Sequence, residues 1–286
     1  MELKHRWATT HNFLAGLTAG SWWRLLRENR FAVSPAYWHR AAFITFASIM
    51  NSASRIREES RFGEEVDATE VSRHPVFILG HWRSGTTHLH NLLCQDRERF
   101  AFPNTYQVVN PHTFLTSEEV NTRRFARLVP DKRPMDNMKL GFGEPQEDEF
   151  APALATLLSP YFGVAFPRRE EHYERYLTFE GVPEAELAAW KASFLRFIRK
   201  LTLKNGGRIL LLKSPAHTAR IRILLELFPE ARFVHIHRHP HDVFRSFLHY
   251  YDTAAWFSYL QVPDLSLIHI SEPTRRTIPS RMPSSA

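Results

Sequence analysis

The chain has 286 residues, 43% of them hydrophobic and 23% charged, which is the balance of a globular protein and excludes a low-complexity or disordered chain. Its one cysteine, Cys94, excludes an intrachain disulfide framework and fits a reducing compartment. The formal charge of +7 suits nucleic acid, anionic lipid or an anionic small ligand, but there is no zinc knuckle, helix-turn-helix signal or long Lys/Arg run, so nucleic acid is not an expected partner.

Residues 1–70 are predicted to be helical, with Trp, Phe and Arg at helical spacing. Core packing is the expected role of these aromatics, and peripheral membrane contact is the alternative. The opening "MELKHRWATTHNF" has no continuous apolar run of the signal-peptide kind, so a cytoplasmic location is expected. Val76–Leu79 is the first predicted strand and Thr86–Cys94 the helix after it. Residues 97–114, "RERFAFPNTYQVVNPHTF", and 129–150 are predicted as irregular segments. Phe150 to Pro167 carries no charge, but Pro152, Pro160, Gly163 and Pro167 interrupt it, so a buried helix and a loop are expected rather than a membrane span. A long helix begins at Pro183 and stops at Gly206 and Gly207.

Two βα units follow. "RILLLKSP" and "ARFVHIHR" are predicted strands, each followed by a helix, and Ile221, Leu224, Leu225 and Phe228 are predicted to share a buried face of the first helix. Continuous apolar strands alternating with helices define an α/β fold, a P-loop-like parallel sheet flanked by helices, with a helical N-terminal region. Three regions are expected: 1–70 helical, 71–264 the α/β domain, and 265–286 a foreign tail. The tail string "LSLIHISEPTR" resembles the in-frame translation of a sequencing-library adapter, and "SRMPSSA" resembles its distal part. On that reading the α/β domain is truncated near Asp264.

The stretch "PVFILGHWRSGTTHLHNLL" couples a strand to a glycine-rich turn and a helix. Such a junction aims free backbone N–H groups and the positive end of a helix dipole at one point, and so forms an anion site. A nucleotide triphosphatase loop carries lysine before its Ser/Thr; here Thr86 occupies that place and Arg83 lies inside the loop. The loop has hydroxyl donors in Thr86 and Thr87 and a guanidinium fork in Arg83, but lacks the group that reaches a γ-phosphate. A second constellation, "HRHPHDVFRS", puts Arg238 at the end of a predicted parallel strand and Ser246 eight residues on, about two turns into a helix.

Together the two motifs resemble the sulfotransferase superfamily, which uses 3′-phosphoadenosine 5′-phosphosulfate (PAPS). "WRSGTTHL" is similar to its first motif. Arg238, Pro240, Asp242, Val243 and Ser246 are similar to its second, and "KSP" and "PQEDE" are similar to segments of the bacterial-type branch. The resemblance runs from about Pro75 to Phe257. It implies that Arg83, Ser84, Gly85, Thr86 and Thr87 hold the 5′-phosphosulfate of PAPS as cosubstrate, that Arg238 and Ser246 hold the 3′-phosphate, and that no metal is needed.

Charge grows on the bridging oxygen as the S–O bond breaks, so a cation is required there; Arg83 and Lys213 are the candidates. Transfer to a hydroxyl also calls for a general base. The cytosolic branch has a histidine two residues after the corresponding lysine, whereas this chain has Pro215 there. Glu147 or Glu149, from the acidic cluster Glu144, Glu147, Asp148 and Glu149, is preferred as base over His217. The alternating His235, His237, His239 and His241 lack a Cys or carboxylate partner and are not read as a metal site. The expected activity is sulfuryl transfer to a hydroxyl or amine of a small-molecule, lipid or glycan acceptor. The alternatives are a P-loop kinase, disfavoured by Thr86 in the lysine position, and a non-catalytic nucleotide- or lipid-binding protein.

Overall fold

A computed structural model describes residues 3–9, 12–71, 74–125 and 141–263. Its N-terminal layer is a helix pair. Thr18 caps α1 (Ala19–Glu28) by accepting from the Ser21 N–H. The 31-residue α2 (Trp38–Ala68) buries Ile44, Ser48 and Val66 along one side. The Ala19 N–H donates to Ser52 Oγ at 2.8 Å, and Trp22 Nε1 donates to Thr45 Oγ1 at 2.9 Å, so the two helices run in opposite directions. Arg40 of α2 is fully buried without a carboxylate; its guanidinium donates to the carbonyls of Trp256 and Tyr259, at 2.7 and 2.9 Å, and to that of His5.

The apolar run "VFIL" forms β1 (Val76–Leu79), which feeds the Gly80–Gly85 turn and α3 (Thr86–Leu93). Next come β2 (Phe100–Ala101), α4 (Thr105–Val109) and α5 (Phe114–Phe125). The uncharged segment supplies α6 (Phe150–Thr156) and α7 (Tyr161–Ala165), separated by Leu157 in the left-handed region at φ 69°. Pro152 lies in the first turn of α6, where a missing N–H costs no helical bond. Then come α8 (Glu170–Glu174) and the 22-residue α9 (Glu184–Asn205), which the left-handed Gly206 ends. Last are β3 (Ile209–Lys213), α10 (Ile221–Leu227), β4 (Arg232–His235) and α11 (Pro240–Thr253).

The four strands are parallel in the order β2-β3-β1-β4. Central β1 pairs Val76 with Leu211 on one side and with Arg232 on the other. The segments leaving β1, β3 and β4 therefore emerge at one edge, where ligands bind in open α/β sheets. Phe77 anchors the core beside the rings of Phe228, Phe233 and His217.

Three details differ from the sequence reading. Residues 97–114 are not all loop. They hold edge strand β2 and helix α4, which opens with a capping box in which Asn104 and Gln107 satisfy each other's backbone N–H. The buried stripe preceding and lining α10 is Arg220, Ile223, Leu224 and Phe228, while Ile221 and Leu225 are 40% and 41% exposed. The buried pairing of Arg220, described below, sets that rotation. Finally, β4 ends at His235, so Arg238 stands three residues beyond the strand rather than at its tip. The tail read as foreign lies outside the described residues.

Candidate active site

Two glycines shape the β1–α3 turn. Gly80 has φ 153°, and a Cβ there would fall 2.5 Å from the Ile236 carbonyl oxygen, so only glycine lets β1 pass this close to the chain leaving β4. Gly85, at φ 104°, starts α3. Arg83 takes the left-handed region, at φ 69°, without the glycine exemption. The buried Ser84 closes the turn by donating through Oγ to the His81 carbonyl at 2.7 Å. The Gly80 N–H donates to Thr218 Oγ1 at 2.9 Å. At the other end of the turn, the first-turn N–H groups of α3, at Thr86, Thr87 and His88, precede any intrahelical acceptor.

The two sequence motifs meet. Arg83 Nε donates to Ser246 Oγ on α11 at 3.0 Å, although the residues are 163 positions apart. Arg238 is half exposed near this junction's chain segment, 3.7 Å from Asp242 Oδ2 one helical turn on. Lys213, the last residue of β3, is 1% exposed; its Nζ lies 2.9 Å from Glu147 Oε1 and 3.4 Å from Thr87 Oγ1.

Glu147 starts a ladder of three successive acids, each met by a base from 213–220. Glu147 takes Lys213, Asp148 takes His217 Nε2, and Glu149 takes Arg220 through both guanidinium nitrogens at 2.6 and 3.0 Å. Asp148, Glu149 and His217 have no exposed surface. Burial alone would raise the Asp148 carboxyl, but the charge and hydrogen bond of His217 outweigh it and hold the group below its ordinary value. Glu149 also accepts from Ser159 Oγ at 2.8 Å, and Arg220 also donates to the carbonyls of Leu177 and Tyr176. Two of the three carboxylates are thus enclosed, Glu149 with its hydrogen bonds satisfied and Asp148 bonded to His217 through one oxygen only, and Glu147 is the one beside the loop.

Several participants were missed from sequence. Tyr161 OH donates to Glu147 Oε2 and lies 3.2 Å from Ser214 Oγ. Burial and the neighbouring Glu147 carboxylate push its phenol well above the ordinary value, so it remains a donor. Arg220, seven residues after Lys213 in "KSPAHTAR", carried the signal of a base matched to the acidic run. Buried His90 of α3 touches the Leu211 carbonyl at 3.3 Å; burial, then repulsion from Lys213, push its imidazole down to about 3. Among the described residues no group of three or more His, Cys, Asp or Glu could hold a metal ion. No described helix is long and apolar enough to cross a membrane.

An anion-binding turn and a buried Lys–Glu pair at the edge of a parallel sheet are features of a nucleotide-dependent group-transfer site. The family model of the Sulfotransferase family matches residues 75–269, and the chain belongs to that family. Over 248 residues it is 41% identical to the omega-hydroxy-beta-dihydromenaquinone-9 sulfotransferase Stf3 of Mycobacterium bovis and to the protein of the same name from Mycobacterium tuberculosis. Each alignment covers 87% of this chain, which spans 63% of the length of those curated relatives. The crystal structure of sulfotransferase STF9 from Mycobacterium avium shares the fold, with a TM-score of 0.56 and 22% identity over 82% of this chain and 62% of that one.

Proposed function

We propose that the chain transfers a sulfuryl group from PAPS to the hydroxyl of a lipid-like acceptor. The observation that carries the reading is the position of Lys213, whose ammonium reaches Thr87 of the anion loop and the Glu147 carboxylate at once. A cation and a base beside the helix N-terminus are what sulfuryl transfer to a hydroxyl requires.

The donor set suits PAPS. The first-turn N–H groups of Thr86 and Thr87, with their hydroxyls, would hold the 5′-phosphosulfate, and Ser84 and Gly85 would shape the turn around it. Arg83 would face the same group while its Nε contact to Ser246 ties the turn to α11. Ser246 and Arg238 would take the 3′-phosphate, Arg238 turning from Asp242. PAPS supplies a sulfuryl group on a good phosphate leaving group. Glu147 takes the acceptor proton as the acceptor oxygen bonds to sulfur, and the electron pair of the breaking S–O bond passes to the bridging oxygen. Lys213 and Arg83 offset the charge gathering there. Glu149 and His217, also considered as bases from sequence, are assigned to structure instead, since both are enclosed and paired. The relatives' names, which specify a hydroxylated menaquinone, support a lipid-like acceptor.

Calorimetry with 3′-phosphoadenosine 5′-phosphate against ATP–Mg²⁺ tests the donor. Tight binding of the first, weakened in Arg238→Ala, is expected; preference for ATP would overturn the reading. Sulfate transfer from labelled PAPS to a hydroxylated isoprenoid quinone tests the acceptor.

A further inference from the structure

Charge is distributed unevenly along the chain. Residues 3–57 contain eight Lys and Arg but one acid, Glu28, a surplus of seven; the rest of the chain holds 29 of each sign. The basic surplus is therefore concentrated in residues 3–57, and α2 turns acidic beyond them at Glu58, Glu59, Glu64, Glu65 and Asp67. Of those eight bases only Arg40 is buried. Lys4 lies 3.9 Å from Asp252 and Arg24 lies 3.7 Å from Glu28, whereas Arg27, Arg30 and Arg57 form no ion pair among the described residues.

The same layer exposes an apolar face. Along α2, Trp38, Phe46, Ile49 and Ile56 recur at helical spacing opposite the buried Ile44 and Ser48, and are 63%, 67%, 57% and 73% exposed. Exposed Met50, Ala42 and Ala53 fall on the same side. Trp7, 73% exposed, lies against His39 with the ring centroids 5.2 Å apart and the planes tilted, beside the start of this face, with the Arg6 guanidinium over its ring at 4.8 Å. An exposed apolar face of this kind marks an interaction site.

We propose that the outer face of α2, with Trp7 and the exposed arginines of the N-terminal layer, docks the protein on an anionic lipid surface. Aliphatic and Phe side chains enter the acyl boundary, Trp rings and their N–H groups settle at headgroup level, and unpaired bases meet lipid phosphates. A second copy of the chain fits this face poorly. Between Asn29 and Arg57 there is no acid, so a second copy seated with this stretch against its own would bring like charges together. The inference does not depend on the assigned reaction, because it rests on residues outside the sheet edge.

Vesicle flotation tests it directly. The protein is expected to float with vesicles of phosphatidylcholine plus phosphatidylglycerol, much less with phosphatidylcholine alone, and to be released by salt. Phe46→Asp combined with Ile49→Asp should abolish flotation, and Arg30→Gln with Arg57→Gln should weaken it by about tenfold or more. Both variants change exposed side chains, and circular dichroism and binding of 3′-phosphoadenosine 5′-phosphate confirm that each remains folded. Failure of the wild type to bind anionic vesicles would overturn the proposal. So would a wild-type dimer in light scattering that the Asp pair makes monomeric while leaving vesicle binding intact.

Discussion

Lys213 Nζ lies 2.9 Å from Glu147 Oε1 where β3 ends beside the β1–α3 turn, and neither side chain is more than 15% exposed. A pair this enclosed holds its geometry and carries a desolvation cost. With Lys213 as the cation on the leaving oxygen and Glu147 as the base, the two have separable kinetic signatures. Glu147→Gln preserves shape and should lower kcat by about 10²–10⁴ with affinity for 3′-phosphoadenosine 5′-phosphate unchanged. Lys213→Met should lower kcat by about 10²–10³. Steady-state assays with purified, folded variants decide; full kcat in Glu147→Gln would remove the base assignment.

Tyr161 has a positioning role. Its hydroxyl fixes the second oxygen of Glu147, and Ser214 stands behind it. In Tyr161→Phe that oxygen loses its donor, and about 1–3 kcal/mol of stability should go with it. Turnover should fall by about tenfold while KM for PAPS stays fixed, since Tyr161 meets the turn through the Trp82 ring, 6.5 Å between centroids, and its hydroxyl serves Glu147. A rise in KM without loss of kcat would show that Tyr161 binds rather than aligns.

Glu149 and Arg220 should behave as structural residues. Removing either partner leaves an uncompensated charge in a site with no exposed surface, at a cost of about 3–5 kcal/mol. Arg220→Met should lower the urea midpoint sharply, while the folded fraction turns over at the parental rate. A variant of normal stability and low kcat would reverse this assignment.

Acid should weaken the fold through His90. Its folded-state value near 3 lies below the ordinary 6.5, so the unfolded chain binds a proton in that interval and the folded chain does not. Stability contributed by neutral His90 is complete above about pH 6.5 and declines as pH falls toward 3, by about 1.4 kcal/mol per pH unit. Urea titrations at stepwise lower pH measure the slope, and it should shrink in His90→Gln.

Arg238→Ala should raise the Kd for 3′-phosphoadenosine 5′-phosphate by about tenfold to a hundredfold, the worth of a hydrogen bond to a charged group. Adenosine 5′-phosphosulfate, which lacks the 3′-phosphate, should bind parent and variant alike. Equal losses for both ligands would place Arg238 elsewhere.

The fold was legible where local pattern and tertiary role agree. "VFIL" before Gly80 reads as a buried strand and a turn, and α9 announces both its ends with Pro183 and Gly206. Strand β2 was not legible, because two residues give no period. Helix α4 hid between Pro103 and Pro111, although Asn104 and Gln107 carry a capping-box spacing. The candidate site residues could be named from the motifs, but not sorted. Glu147, Asp148 and Glu149 look alike in a row, and what separates them is a partner 66, 69 or 71 residues away. Tyr161 had no signal of its own, since an uncharged segment gives no hint that one hydroxyl in it faces a carboxylate.

The three-rung ladder also bears on how the protein folds. The acids and bases it joins are separated by α6, α7, α8 and α9, so each rung closes a loop of 66, 69 or 71 residues. Closing a loop of this size is entropically costly and comes late on a folding route. The Glu147–Lys213 rung is thus expected among the last features to assemble and the first to open. Sulfate-transfer competence and native structure should then appear in the same kinetic phase, leaving no compact intermediate in which the loop is formed but the base is missing.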